Sequence, residues 1–334
     1  MPDKIDVVYT WVDGSSAEFQ RTLHATLEAY KSERGEYPDV LSTGANRFRD
    51  YGTLRHSLRS IHQFVPWADR IFIVTNGQVP DWLDLAHPRI QLVTHREIFP
   101  DAGVLPTFNS SAIDTNLRFI PGLSRHFLYV NDDILFGREA LLGDFFSDSG
   151  RLKVRFQTNY MNRDLQHPIR QARKIAYCGQ LLDQRFGVRS QRRNSPHTPV
   201  MFDRTVLDRL EADWPEPFQR TRAHKFRDER DIAMHILFLH YLAETYGSEG
   251  DTASAAELIE VMQGQGSGYI PFGDPAFDLD ASIAQIWRER PRYICVNDVM
   301  GEFGDISEAH MAGILATVSR FLSGYYPAAA PWEK

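Results

Sequence analysis

The run HFLYVNDDILFG (residues 126–137) joins two apolar, strand-forming segments through Asn131-Asp132-Asp133. Two adjacent carboxylates against a buried strand repel each other and resist desolvation unless a cation or hydrogen-bond donors compensate them. A positive partner is therefore expected at this point. The acidic candidates are Asp6, Asp13, Asp132 and Asp133, joined late in the chain by Asn297 and Asp298. Hard oxygen ligands at strand ends suit Mg2+ or Mn2+, which take few protein carboxylates and leave positions for phosphate and water. Because Asp is also favoured in turns and at helix N-caps, capping is the competing reading of the Asp pair.

The basic candidates are Arg47, Arg49, Arg55, Arg59, Arg192, Arg193, Lys225 and Arg227. The planar guanidinium fork matches phosphate, although any single arginine is more often solvated or structural. His197 lies in SPHTPV, where prolines on both sides fix the backbone and can aim the ring. Neighbouring arginines would lower its pKa and keep it neutral, the state a general base needs; a purely structural role is the alternative. His56, His62, His235 and His240 fit helical faces as packing or surface residues. No Cys/His spacing supports zinc, and neither a phosphate-binding GxxxxGK[ST] loop, a GxGxxG turn nor a GxSxG elbow occurs. Any phosphate handling would rest on arginines plus a metal.

The elements that must position these groups alternate. Strand patterns run over 5–12, 70–77, 89–95 and 126–132, and most end in Asp or Asn with Gly close by. Helical spacing covers 16–34 and 50–64, the latter with Leu54, Leu58 and Ile61 on one face, and a further helix starts at 109 behind good N-cap residues. This predicts an α/β fold: a Rossmann-like, parallel-rich sheet flanked by helices, with ligands at the C-terminal strand ends. The second half reads as helical additions over 165–186, 207–210 and 231–246, with a basic loop at 189–200. The Gly-, Ser- and Ala-rich stretch 247–275 reads as a loop or insertion, before a strand at 293–298 and a helix near 306–324. We expect one catalytic domain over 1–334. Its parts are a nucleotide-binding half (1–150), a more helical half with His197 and Arg227 (151–290), and a closing strand and helix (291–334).

Composition narrows the function. With 37 Lys and Arg against 44 Asp and Glu, the net charge of −7 argues against a general nucleic-acid binder. Two cysteines make no disulfide framework, which favours a cytoplasmic location; a single bridge stays open. No window is long and apolar enough to span a membrane and no signal peptide is evident, so membrane association would be peripheral, at the inner face.

Four blocks together resemble the Stealth family of sugar-phosphate transferases, which includes bacterial capsule polymerases and the lysosomal-enzyme GlcNAc-1-phosphotransferase. They are IDVVYTWVDG (5–14); NRFRDYGTLRHSLRSIHQFVPWADRIFIVTNGQVPDWL through LPTFNSSAIDTNLRFIPGLSRHFLYVNDDILFG; HTPVMFDRTVLDRLEADWPEPFQRTRAHKFRDERDI (197–232); and YICVND (293–298). The resemblance implies a glycosyltransferase-A-like fold and transfer of hexose-1-phosphate, GlcNAc-1-phosphate foremost, from a UDP-sugar to a glycan or glycolipid hydroxyl. UMP would be released with Mg2+ or Mn2+ as cofactor, in capsule or exopolysaccharide assembly. By motif position it implies that Asp132 or Asp133, with Asp298 or Asn297, holds the metal. Arg227, helped by Arg47, would hold the diphosphate, with Lys225 also in the substrate set. His197 would take the acceptor proton, Asp132 being the competing base, and Asp6, Asp13 and Asn76-Gly77 would shape the uridine and sugar pocket. Relatives often carry an acidic residue in the helix where this chain has Gly52 and Thr53. The competing functions are a metal-dependent glycosyltransferase releasing UDP and a non-catalytic sugar-nucleotide or glycan-binding protein.

Overall fold

A computed structural model describes residues 4–246, 256–262 and 268–334. The chain opens with β1 (Asp6–Thr10), a DVVYT run whose first four residues are buried, as a central parallel strand requires. Helix α1 (Ala17–Arg34) is capped by Ser16 and ended by Gly35 at a left-handed φ of 79°. Past the short α2 (Val40–Thr43), α3 (Thr53–Phe64) buries Leu54, Leu58 and Ile61, the face its spacing predicts. Then come β2 (Ile71–Thr75), β3 (Ile90–Thr94), the one-turn α4 (His95–Ile98), α5 (Ser110–Asp114), β4 (His126–Asn131) and β5 (Ile134–Phe136). The second half contributes β6 (Leu152–Gln157), α6 (Arg170–Phe186), β7 (Val200–Asp203), α7 (Arg204–Asp213), α8 (Pro215–Ala223) and α9 (Met234–Tyr246). The last elements are β8 (Ala256–Met262), β9 (Gly268–Phe272), α10 (Leu279–Glu289), β10 (Tyr293–Asp298) and α11 (Glu308–Tyr325).

The main sheet has the order β3-β2-β1-β4-β7, parallel except for β7, which runs antiparallel to β4. Helices flank it, so the expected parallel-rich α/β architecture is borne out. A second sheet, β5-β10-β9, pairs β10 antiparallel to β5 and parallel to β9. It has its own core, in which Ile270, Phe272, Ile294 and Val296 pack against Phe321 and Leu322 of α11. The Asn131-Asp132-Asp133 turn is the bridge between the two sheets. This answers why apolar residues lie on both sides of it: β4 ends in the main sheet and β5 begins in the second. The backbone N–H of Val296 donates to the carbonyl of Asp133 at 2.8 Å, which brings the tip of β10 to the same edge.

Several elements depart from the sequence expectation for identifiable reasons. The helix from 109 stops at Asp114, because the side chains of Thr115 and Asn116 both bond the Ala112 carbonyl and divert it from the helical ladder. The helix expected from 165 begins only at Arg170, since Pro168 disfavours helical backbone at the residue before it. Helix α8, started by Pro215, lies in a stretch with little apolar periodicity. Within the expected loop at 247–275, residues 256–262 and 268–272 are strands, whereas 247–255 and 263–267 lie outside the described residues. Cys178 and Cys295 are buried free thiols. Among the described residues no helix is long and apolar enough to cross a membrane.

Candidate active site

The C-terminal ends of β1, β2, β4 and β10 open onto one cleft of about 670 Å³. Its wall includes Thr10 and Trp11, Asn76, Asn131 to Asp133, and Val296 to Asp298; Asp114 from α5, Arg47 from a one-turn 3-10 helix and Arg227 from a loop add to the polar lining. Trp11 follows directly from β1, and in the turn after it Gly14 lets the backbone pass close to Phe48: the Gly14 N–H donates to the Phe48 carbonyl at 2.7 Å, and a Cβ there would stand 2.4 Å from that oxygen.

Acid dominates the floor. Burial first, then the neighbouring Asp133 and Asp50 charges, push the Asp132 carboxyl well above its ordinary range. The Asp133 carboxyl is likewise raised by burial, opposed by the positive fields of His197 and Arg227. Asp133 Oδ1 is buried with no hydrogen-bond partner among the described residues. Two adjacent carboxyls, one with a buried oxygen that lacks a partner, suit a divalent cation, which would favour their ionised forms. Asp298 differs: its Oδ2 accepts from Arg49 at 2.5 Å and from the Tyr51 hydroxyl, and its Oδ1 accepts from the Met300 N–H at 2.8 Å. Asn297 donates to the Tyr269 hydroxyl at 2.8 Å. Among the described residues no three His, Cys, Asp or Glu side chains come together as a ready-made metal cage. The pair Asp132 and Asp133 therefore fits a cation, while the Asp298 carboxylate is committed to Arg49 and Tyr51.

Opposite the acids stands Arg227. Burial and the nearby Arg47 lower its guanidinium to about 10, with Asp114, Asp231 and Glu302 opposing. Its loop is tied at both ends. Asp231, fully buried, meets the His224 ring at 2.7 Å and accepts from the Asp228 N–H and the Asn109 amide, each at 2.8 Å. The Arg227 carbonyl accepts from Arg170 at 2.7 Å. Arg47 is paired with Glu302 at 2.8 Å on the same wall. His197, expected as the base, is not among the residues that line the cleft: it is exposed and stacks on Tyr269, ring centroids 5.6 Å apart, within electrostatic reach of Asp133.

Not every expected residue reaches the cleft. Asp6 begins β1, at the opposite end of the strand; Arg70 binds it at 3.1 and 2.9 Å and the Ser124 N–H at 2.8 Å, so its role is to tie the sheet's far edge. Its place in the sugar pocket is corrected accordingly: a parallel strand delivers only its C-terminal tip to the site. Lys225 donates to the Val104 carbonyl at 2.6 Å, behind the cleft lining. Asp13 caps its own turn through Ser15 at 2.8 Å, and Gln78 clasps its backbone. Asn76 lines the cleft and Gly77, at a φ of 111°, turns the chain away from it.

Three residues escaped sequence reasoning. Asp114 accepts from the Tyr129 hydroxyl at 2.7 Å; burial raises its carboxyl to about 6 against the pull of Tyr129, Lys174 and Arg227. Lys174 projects from α6, is buried, and bonds Ser111 Oγ at 3.2 Å, its ammonium lowered by burial and by Arg227. Asp50 accepts from the Trp11 indole at 3.2 Å and the Gly52 N–H at 2.8 Å, and burial raises it as well. Asp114 had a signal, a carboxylate in the last turn of an N-capped helix just before the Asp-pair strand. The ammonium on α6 had none.

Descriptions of Stealth protein conserved regions 1, 2 and 3 match residues 3–31, 47–154 and 196–244. Over 340 residues the chain is 34% identical to exopolysaccharide phosphotransferase SCO2594 of Streptomyces coelicolor, covering 99% of this chain and 51% of that protein. Over 333 residues it is 34% identical to exopolysaccharide phosphotransferase CpsY of Mycobacterium tuberculosis, covering 99% of this chain and 58% of that one. It thus spans a little over half the length of these relatives. Among solved structures it is similar to the galactosyltransferase LgtC in complex with donor and acceptor sugar analogues, with a TM-score of 0.44 and 11% identity over 98% of both chains. It is also similar to the inositol-1-phosphate CTP transferase from T. maritima, with a TM-score of 0.39 and 11% identity over 98% of this chain and 99% of that one. With all three conserved regions present in order, the chain belongs to the Stealth family.

Proposed function

We propose that the cleft transfers hexose-1-phosphate, with GlcNAc-1-phosphate the first candidate, from a UDP-sugar to a glycan hydroxyl and releases UMP. The observation that carries this reading is that one cleft brings together a half-buried arginine and a half-buried pair of carboxyls, one of whose oxygens is buried and unsatisfied among the described residues. Phosphoryl transfer asks a protein mainly to position the groups and to neutralise charge on the phosphate oxygens, which these parts can do. The names of the curated relatives, exopolysaccharide phosphotransferases, support the same chemistry.

In this reading the acceptor oxygen attacks the sugar-bearing phosphorus. The new P–O bond forms as the bridge to the nucleotide phosphate breaks, and the electron pair leaves on UMP. Arg227 holds the diphosphate oxygens, and Arg47 adds positive charge beside it. His197, with Asp133 near enough to stabilise the imidazolium, takes the acceptor proton; Asp114 and Lys174 set the charge around Arg227. Asp132 and Asp133 would hold Mg2+ or Mn2+, which would add a Lewis-acidic charge against the phosphates. A UDP-sugar donor and reduced, buried cysteines suit the cytoplasm.

Incubation of the protein with UDP-GlcNAc, Mg2+ and oligosaccharide acceptors should release UMP and leave a phosphodiester on the glycan. Release of UDP would make it a glycosyltransferase. Donor binding without turnover, unchanged in kind by His197→Ala, would make it a binding protein.

A further inference from the structure

A second cavity, about 630 Å³, lies on the other side of α6 from the cleft. One wall is a single face of α6: Arg173, Tyr177, Gln180, Leu181 and Gln184 recur at helical spacing. Lys174 and Cys178 of the same helix are buried and lie outside this lining. The facing wall is the break between α7 and α8, where Trp214 ends one helix and Pro215 starts the next, leaving a hollow. Glu229 and Arg230, from the loop that carries Arg227, close one end.

The lining is chemically distinctive. It holds three guanidinium groups (Arg173, Arg220, Arg230) and three carboxylates (Asp213, Glu216, Glu229), with the amides of Gln166, Gln180 and Gln184. Lining guanidiniums and carboxylates are equal in number, so the cavity lacks the large excess of positive charge that a nucleotide or a free phosphate draws on. Arg173 is tied to Glu229 at 2.6 Å. Arg220 bonds the Tyr177 hydroxyl and lies over its ring at 5.4 Å, while its Nε is buried without a hydrogen-bond partner among the described residues. Sugar hydroxyls donate and accept at once, and their C–H faces pack on aromatic and aliphatic surface. A site for them needs planar donors and acceptors in equal supply beside rings, which is the inventory present here. The volume falls within the range of about 300–1,000 Å³ usual for small-molecule sites.

We propose that this second cavity is a subsite for a neutral stretch of glycan, gripping the acceptor chain away from its reacting hydroxyl. The identification of the glycan as acceptor rests on the phosphotransfer reading of the cleft; the binding chemistry does not. Gln180 and Gln184 are exposed and touch nothing in the cleft, so Gln180→Trp and Gln184→Trp fill the cavity without disturbing the core.

The test uses the whole chain with neutral α-glucan, β-glucan, mannan and chitin oligosaccharides of about two to six units, a length suited to a cavity of this class. Binding is read by saturation-transfer NMR, UDP affinity by calorimetry, and UMP release from UDP-GlcNAc separately. We expect a longer oligosaccharide to bind the wild type, and either Trp variant to weaken it at least about tenfold, or about 1.4 kcal/mol, with UDP affinity unchanged. Oligosaccharide binding unaffected by both variants overturns the subsite, as does binding by none of the neutral panel or by anionic heparin alone. Glycan binding that the variants abolish in a protein releasing no UMP upholds the subsite and removes only the catalytic reading.

Discussion

The ring of His224 and the carboxylate of Asp231 lie 2.7 Å apart and close the loop that carries Arg227 between them. The same carboxylate receives the Asp228 N–H and the Asn109 side chain, where no water can substitute. Asp231→Ala strands all of these donors at once. It should cost about 3–5 kcal/mol in urea unfolding, since each buried donor left without a partner costs about 1–3 kcal/mol. Donor turnover should fall with it, because Arg227 loses its seat. A loss below about 1 kcal/mol would show that other contacts hold the loop.

Arg227 itself should not tolerate its nearest chemical relative. Arg227→Lys keeps a positive charge but loses the planar fork that can meet two phosphate oxygens at once. We expect UMP release to drop by about 10²–10³-fold, the usual effect of removing one preorganised donor to a developing charge. The variant should fold, since the loop's anchors are the backbone carbonyl of Arg227 and the Asp231 carboxylate rather than the guanidinium. Near wild-type turnover in a folded Lys variant would remove Arg227 from the mechanism.

How far the sequence spoke can be judged residue by residue. The β-branched runs announced β1, β2 and β4, and hence the cleft edge, because a strand buried on both faces has little freedom in composition. The Asp pair was legible since charge at the end of an apolar run has to be compensated. Asp6 misled because strand composition does not say which end of the strand bears ligand; parallel pairing decides that. Asp298 was legible as an acid at a strand end, but its partners Arg49 and Tyr51, which lie some 250 residues away in sequence, were not. Lys174 was invisible for a like reason: on α6 it is one cation among several, and only tertiary packing buries it beside Ser111.

Cation binding should be readable without turnover. Burial disfavours the charged forms of Asp132 and Asp133, and the Asp133 charge adds to the effect at Asp132, so Mg2+ or Mn2+ pairing with the ionised carboxylates should stabilise the folded protein by mass action. The melting temperature should rise on adding metal and fall back with EDTA. Asp133→Asn should melt higher than the wild type in EDTA, because one of two repelling carboxyls has gone, and should no longer respond to metal. Should Asp133→Asn respond to metal as the wild type does, the cation site lies elsewhere.

Asp114 gives the cleft a pH signature whose sign can be worked out. Burial lifts its carboxyl from the ordinary 3.8 to about 6, against the opposing pull of the Tyr129 hydroxyl, Lys174 and Arg227. Between those values the folded chain holds a proton that the unfolded chain has released. The stability supplied by neutral Asp114 is therefore complete below the unfolded value and is lost as pH rises through about 6. Asp114→Asn stays neutral throughout, so its advantage over the wild type in urea midpoint should grow from about pH 4 to about pH 7. Turnover should follow the opposite course. Ionised Asp114 balances Lys174 and Arg227, so UMP release by the wild type should climb across the same interval, and Asp114→Asn should lose that acid limb. An equal difference in urea midpoint at both ends of the range would mean that Asp114 does not titrate there. The balance of charge around Arg227 would then be set by Asp231 and Glu302 alone.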